Sequence, residues 1–275
     1  MYAPGWPGIS PRWTSSAKSG VGTAWGANSR VWFTLSHGIL NEIYWPRIDR
    51  ACTRDLGLIV TSGCDFFSEE KRHARSVTAP LAPGTPAYRL VNTCAQGRYR
   101  VEKEILTDPR RDSLLQSTRF VPLVGGLADH RLYVLLAPHL GNHGSGNTAW
   151  LGDYKGVPML FAERGGDALA LACSAPWDGR SVGFVGTSDG WQDLARHKQL
   201  TWLYSRAENG NVALTAGVDL LSCAGEFRLV VGFGRTAEEA AQHARASLLD
   251  DYESIREAYV SEWRAWQAGV RVVAC

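Results

Sequence analysis

Between Arg30 and Val60 the chain reads RVWFTLSHGILNEIYWPRIDRACTRDLGLIV, and the two ends of this stretch decide the fold. Val31-Trp32-Phe33-Thr34-Leu35 and Leu56-Gly57-Leu58-Ile59-Val60 are rich in β-branched and aromatic residues and bounded by turn formers, the pattern of strands. Between them lie His37, Gly38, Asn41, Glu42, Tyr44, Trp45, Pro46, Arg47 and Asp49. These residues offer donors, acceptors and ring faces within a short span, so the reading is two framing strands with the chemistry in their connection.

The same grammar continues to about residue 234. Short apolar runs at 88–91, 99–106, 114–121, 132–137, 158–162, 169–173, 182–185, 201–204, 212–216 and 227–232 are separated by Gly, Pro, Asn and Asp clusters. In 99–105 the apolar residues fall at every second position while Arg100, Glu102 and Glu104 take the other face, as in a half-exposed strand. Almost no helical period intervenes, and parallel strands need helical crossovers, so an antiparallel two-layer sandwich is expected. The pattern changes at Thr236. Thr236-Ala237-Glu238-Glu239 is a capping box, and Leu248, Tyr252, Ile255, Tyr259, Trp263 and Trp266 then recur as a one-sided stripe. Residues 236–268 read as one long helix or two joined near Asp250-Asp251, with a stripe that some partner must cover.

At 275 residues the chain can bury roughly 75% of its unfolded surface, enough for a core without staples. Its net charge of +2 comes from 29 basic and 27 acidic residues scattered along the chain, which argues against a nucleic-acid partner. The opening Met1 to Trp13 has no basic or apolar leader region, and no run approaches the length of a membrane span, so a soluble, cytoplasmic chain without a membrane partner is expected. The six cysteines (Cys52, Cys64, Cys94, Cys173, Cys223, Cys275) form no C-x-x-C pair and read as buried reduced thiols. Most of the eleven tryptophans are assigned to the core.

Several motifs compete for a catalytic reading. Gly186-Thr187-Ser188-Asp189-Gly190 matches the nucleophile elbow, with Asp219 and His243 following in triad order. That elbow works on a parallel sheet with intervening helices, which the sequence lacks, and Ser-Asp-Gly is ordinary turn chemistry. Gly144 to Ala149 fits a dinucleotide fingerprint without the helix it needs. His139 and His143 share a face only on a helix, which Pro138 and Gly141 oppose, so neither metal nor cofactor is expected. Ser15-Ser16-Ala17-Lys18 lacks its partner motifs. The pairs Glu69-Glu70, Glu102/Glu104 and Glu238-Glu239 read as loop, strand-surface and helix-cap residues.

The segment from His37 to Asp49, together with Ala3-Pro4-Gly5-Trp6-Pro7-Gly8 and Leu136-Ala137-Pro138-His139-Leu140-Gly141-Asn142, closely resembles the N-terminal part of prokaryotic glucoamylases and glucodextranases of glycoside hydrolase family 15. The resemblance implies a mainly β, antiparallel β-supersandwich of galactose-mutarotase-like architecture over 1–235. Residues 236–275 would form a helical linker towards an (α/α)6 catalytic barrel. A barrel of that kind needs twelve helices, so it is expected to be absent from this chain, and the two catalytic glutamates with it. The expected role is then non-catalytic: support of an exo-acting, inverting α-glucan hydrolase, whose barrel and α-glucan substrate are the implied partners. His37, Asn41, Tyr44, Trp45, Arg47 and Asp49 are the candidates for the substrate rim or the domain interface. The 248–266 stripe is a candidate for self-association. Two other classes stay open: a stand-alone carbohydrate-binding sandwich, and a serine hydrolase using Ser188.

Overall fold

The computed structural model describes residues 1–14 and 17–270; Ser15 and Ser16 of the S-x-x-K motif, and the end of the expected linker with Cys275, lie outside the described residues. The first strands are β1 (Gly20–Thr23), β2 (Trp32–Ser36), β3 (Ile39–Tyr44), β4 (Thr53–Thr61) and β5 (Phe67–Glu69), followed by the short helix α1 (Glu70–His73). Next come β6 (Ala74–Pro80), β7 (Tyr88–Cys94), β8 (Tyr99–Thr107), β9 (Ser113–Pro122), β10 (Arg131–Pro138), β11 (Asn147–Tyr154), β12 (Val157–Arg164), β13 (Asp167–Cys173) and β14 (Trp177–Phe184). Helix α2 (Gly190–His197), strands β15 (Arg206–Gly210), β16 (Val212–Val218) and β17 (Glu226–Gly234), and helices α3 (Ala237–Leu249) and α4 (Tyr252–Gly269) complete the order.

These strands form two sheets. One runs β1-β2-β3-β4-β10-β16-β14 with β5 added against β4, and the other runs β15-β11-β12-β13-β17-β9-β8-β7-β6. Pairing between named strands is antiparallel throughout. The sheets face each other across one apolar core, in which Leu35, Leu56, Leu58 and Val60 meet Leu90, Val101, Ile105, Leu171 and Val231. The expected two-layer antiparallel sandwich is therefore the fold. No helix among the described residues is long and apolar enough to cross a membrane.

The C-terminal pair of helices covers the outer face of the nine-stranded sheet. Helix α3 lies on small residues: Ala240, Ala241 and Ala244 meet Ala168, Ala170 and Ala172 of β13. A methyl on Gly232 of β17 would fall against the Ala240 carbonyl and the Ala244 nitrogen, so the helix can lie this close only over glycine. Thr236 caps α3 by accepting from Glu239 N at 3.2 Å, and Glu239 reaches back to the amide of Arg235, one residue before the cap. Asp251 caps α4 in turn, accepting from Ser254 N, which settles the choice between one helix and two. The partner of the apolar stripe is the sandwich itself. Ile255 and Tyr259 are buried, the Tyr259 hydroxyl lies 2.5 Å from Thr23 O and 2.8 Å from Pro86 O, and Trp263 Nε1 donates to Thr23 O at 3.0 Å. Only Trp266 emerges, with its ring 4.8 Å from that of Trp25, so the expected self-association keeps little of its surface.

Several expectations need correction. Residues 201–204 form no strand: the Asp193 carboxylate on α2 accepts from Thr201 N, Thr201 Oγ1 and Trp202 N, which holds that backbone away from a sheet ladder. The segment between the first two framing strands is not a connection alone, because it contains β3. Strands β1, β6 and β15 carry little apolar alternation, and as edge or near-edge strands they need little. Of the tryptophans only Trp45 is buried, while Trp6, Trp13, Trp25 and Trp266 are exposed and the rest are half-buried. Cys64 is an exposed thiol, whereas Cys52, Cys94 and Cys173 are buried. Glu70, read as a loop residue, lies inside the core.

Candidate functional site at the loop end of the sandwich

Strand pairing brings the expected site residues to one end of the molecule, with one exception. Tyr44 closes β3 opposite Trp32 at the start of β2, and Thr53 at the start of β4 opposes Pro138 at the end of β10. At this same end Phe233 N donates to Asp112 O, and Ala168 at the start of β13 pairs with Gly234 at the end of β17. The Trp45–Cys52 loop, the Asp108–Asp112 turn, the His139–Gly146 loop and the β17–α3 junction therefore converge. His37 does not join them. It sits with positive φ in the β2–β3 turn, hydrogen-bonded to Ser36 Oγ, at the far end of a six-residue strand roughly 20 Å long.

Trp45 is the hub. Its ring is fully buried, Nε1 donates to Asp112 Oδ2 at 2.7 Å, and the guanidinium carbons of Arg30 and Arg235 lie 5.5 and 5.1 Å from the ring centroid, within cation–π range. Asp112 also accepts from Arg30 N and Nε at 2.6 and 3.0 Å. Asp167, equally buried, accepts from Arg50 Nε at 2.7 Å and Arg235 Nη1 at 2.8 Å. The carboxylates are inside and their arginines lie outside them: Arg30 and Arg235 keep 50% and 55% of their side chains in solvent against 2% and 0% for Asp112 and Asp167. The face turned to solvent is consequently rich in guanidinium groups, which suit planar, bidentate recognition of carboxylate or hydroxyl-bearing surfaces.

The other candidates divide between scaffold and surface. Asn41 is buried, donating to Thr14 Oγ1 and to Arg54 O while Lys18 Nζ donates to its Oδ1, so it ties the N-terminal segment to the sheet. Tyr44 is half-buried, and burial followed by the nearby Glu42 carboxylate raises its phenol pKa. Arg47 and Asp49 form a bidentate pair at 3.0 and 2.9 Å on the loop surface, mostly in solvent. The loop beneath them is rigid, because Asn142 accepts from Ala51 N at 2.7 Å and donates to Asp49 O at 2.8 Å. Asp112, Asp167 and Arg235 carry no sequence signal for this site; Arg30 and Arg50 lie inside the stretch 30–60 and Asn142 inside the 136–142 segment, where nothing in the pattern sets them apart as site residues.

Among the described residues the nucleophile-elbow motif forms no nucleophilic centre. Ser188 is buried with its Oγ accepting from Phe184 N, Asp189 caps α2, and His243 Nδ1 is bonded to Phe233 O. Ser188 thus closes a turn on an antiparallel sheet and presents no hydroxyl to a substrate.

The family described as "Glucodextranase, domain N" matches residues 3–268. The chain belongs to the glucodextranase domain N family. A glucoamylase of Clostridium sp. (strain G0005) is 37% identical to this domain N over 260 residues, covering 94% of this chain and 37% of that enzyme. The crystal structure of a bacterial glucoamylase complexed with acarbose superposes with a TM-score of 0.96 at 36% identity, over 98% of this chain and 40% of that one. A family GH92 inverting mannosidase from Bacteroides thetaiotaomicron shares the fold at a TM-score of 0.52 and 10% identity. The chain therefore spans about two fifths of the glucoamylases it matches.

Proposed function

We propose that this domain N is the non-catalytic N-terminal module of an exo-acting, inverting α-glucan hydrolase of glucoamylase or glucodextranase type. In that enzyme a helical (α/α)6 barrel supplies the general acid and the general base, acting through a water. The observation that carries this reading is the superposition on a glucoamylase along nearly the whole chain. The arginine-fronted loop end stands against the barrel and borders its glucan pocket, with Arg47 and Asp49 exposed on it and Tyr44 half-buried at the end of β3. Two features support that assignment: the guanidinium-rich face, and the mismatch between the exposed Arg47–Asp49 pair and any structural need for it. An exposed ion pair contributes about 0–1 kcal/mol to stability, so the Arg47–Asp49 pair brings the fold little structural benefit.

Two measurements test this reading. The 275-residue chain incubated with maltooligosaccharides or isomaltooligosaccharides is expected to release no glucose above a protein-free blank. In the complete enzyme, Arg47→Ala or Tyr44→Ala is expected to lower kcat/KM by about tenfold, as misplacement of a substrate-bordering loop does, with Tm nearly unchanged. Loss of Tm with an unchanged kinetic ratio would make the segment packing alone.

A further inference from the structure

The outer face of the eight-stranded sheet carries a cavity of about 220 Å³, separate from the Trp45 cluster and bounded by β4, β5, α1, β10, α2 and β16, with Ile9 of the N-terminal segment at its edge and Arg54, at the start of β4, on the side towards the loop end. Leu135 and Ala213 contribute its apolar floor, and Trp191 forms a wall. The indole is held from several sides: Nε1 donates to Glu69 Oε2 at 3.0 Å, Phe67 packs edge-on at 5.8 Å, and the Arg72 guanidinium lies 5.7 Å from the ring.

Charge decides the class of ligand. Arg54, Lys71 and Arg72 meet Asp55, Glu69 and Asp189 in and beside the cavity, three cations to three carboxylates. Lys71 bridges Asp55 at 2.6 Å and Glu69 at 3.5 Å, Arg54 pairs with Asp55, and Arg72 pairs with Glu69. No net field is left to select an ion. Hydrogen-bonding capacity does remain: Arg54 uses Nε and Nη2 on Asp55, Arg72 uses Nε on Glu69, and the Gln192 side-chain amide has no hydrogen-bond partner among the described residues. An apolar floor, an aromatic wall and a few convergent unfilled donors and acceptors around a neutral centre suit a molecule with an apolar C–H face and a ring of hydroxyls. The volume lies below the roughly 300–1,000 Å³ of sites for drug-sized ligands, which favours a ligand of about a dozen heavy atoms over an oligosaccharide.

We propose that this cavity binds a single hexopyranose, D-glucose. The choice of glucose rests on the glucan-hydrolase reading above, of which it would be the released product; the cavity's preference for a neutral hexose rests on its own residues. Few polar contacts and an open mouth set the expected Kd on the order of 1 mM.

Titration of the 275-residue chain with D-glucose, followed by heteronuclear NMR, is expected to give saturable shifts at the Trp191 indole N–H and the Gln192 side-chain amide. Sorbitol, equally hydroxylated but without a pyranose face, is expected to give none. Gln192→Ala should weaken binding about fivefold, the worth of roughly one hydrogen bond. Leu135→Trp, which fills the floor, should abolish the shifts while the rest of the spectrum stays folded; should that variant unfold, Gln192→Ala decides alone. Shifts that never saturate, equal shifts with sorbitol, or wild-type affinity in Gln192→Ala would overturn the proposal. Failure of the glucan-hydrolase reading looks different, since an enzyme that released no glucose would leave saturable hexose binding by this domain intact.

Discussion

Replacing Lys103 by alanine is expected to cost the domain roughly 3–5 kcal/mol, the largest loss from any single charged side chain in the core. The ammonium is fully buried, 2.6 Å from Glu70 Oε1, and donates to Gly38 O at 2.7 Å. Glu70 is equally enclosed and accepts further from Asn92 Nδ2 and from Leu58 N. Removing the lysine leaves a carboxylate in the apolar space between the sheets with no counter-charge. Burial pulls the Lys103 pKa down, and the neighbouring Glu70 carboxylate opposes that shift. Because breaking one half of a buried pair is worse than losing both halves, Lys103→Met combined with Glu70→Gln should recover much of the stability lost in Lys103→Ala. Urea unfolding of the wild type and the two variants measures both effects, and a loss below about 1 kcal/mol in Lys103→Ala would contradict the account.

Acid should weaken the domain through His139. This ring is buried, neither nitrogen has a hydrogen-bond partner, and the Trp13 ring meets it edge-on at 4.6 Å. Burial, then the Arg54 charge, push its pKa down to about 4, against opposing pulls from Asp55 and Glu42. The sign follows. Above pH about 6.5 the imidazole is neutral in both folded and unfolded chains and contributes no pH dependence. As pH falls from about 6.5 towards about 4 the unfolded chain takes up a proton that the folded one refuses, so stability declines through that window by on the order of 3 kcal/mol. His139→Leu should hold its stability at neutral pH and lose this part of the acid dependence. The difference between the two urea-unfolding curves across that pH range isolates the histidine from the titrating carboxylates, and parallel curves would rule the mechanism out.

What the sequence disclosed followed periodicity. Strand β8 was legible because Val101, Lys103 and Ile105 alternate with Glu102 and Glu104, and the same alternation places Lys103 in the inward register, a signal of a buried charge that went unread. Its partner Glu70 could not be found that way, since a two-state alternation says nothing about a carboxylate thirty-three positions earlier on a single turn of helix. The candidate site shows the same division. Density of polar and aromatic residues pointed to the 37–49 segment, but density along a strand is not proximity: His37 and Arg47 stand at opposite ends of β3. Trp45 looked like a ligand platform and is the packed centre of an arginine cluster, because the arginines and acids that enclose it come from the β1–β2 and β8–β9 connections, the start of β13 and the β17–α3 junction. Helix α3 could be started correctly from Thr236, since a cap is a local interaction. What covered the following stripe could not, since cover is a property of the assembled sheet.

The attachment of α4 has a mechanical corollary. An eighteen-residue helix is a rod about 27 Å long. Tyr259 and Trp263, one turn apart, both bond to the carbonyl of Thr23, and Tyr259 also reaches Pro86, so the rod is pinned against both roll and slip. Its bearing is thus inherited from the last residue of β1 and from the loop before β7. A substitution that tilted this mounting by about 10° would displace the helix tip by roughly 2–3 Å over the stretch of about 15 Å from Tyr259 to Gly269, an angular error set at Thr23 and read at Gly269.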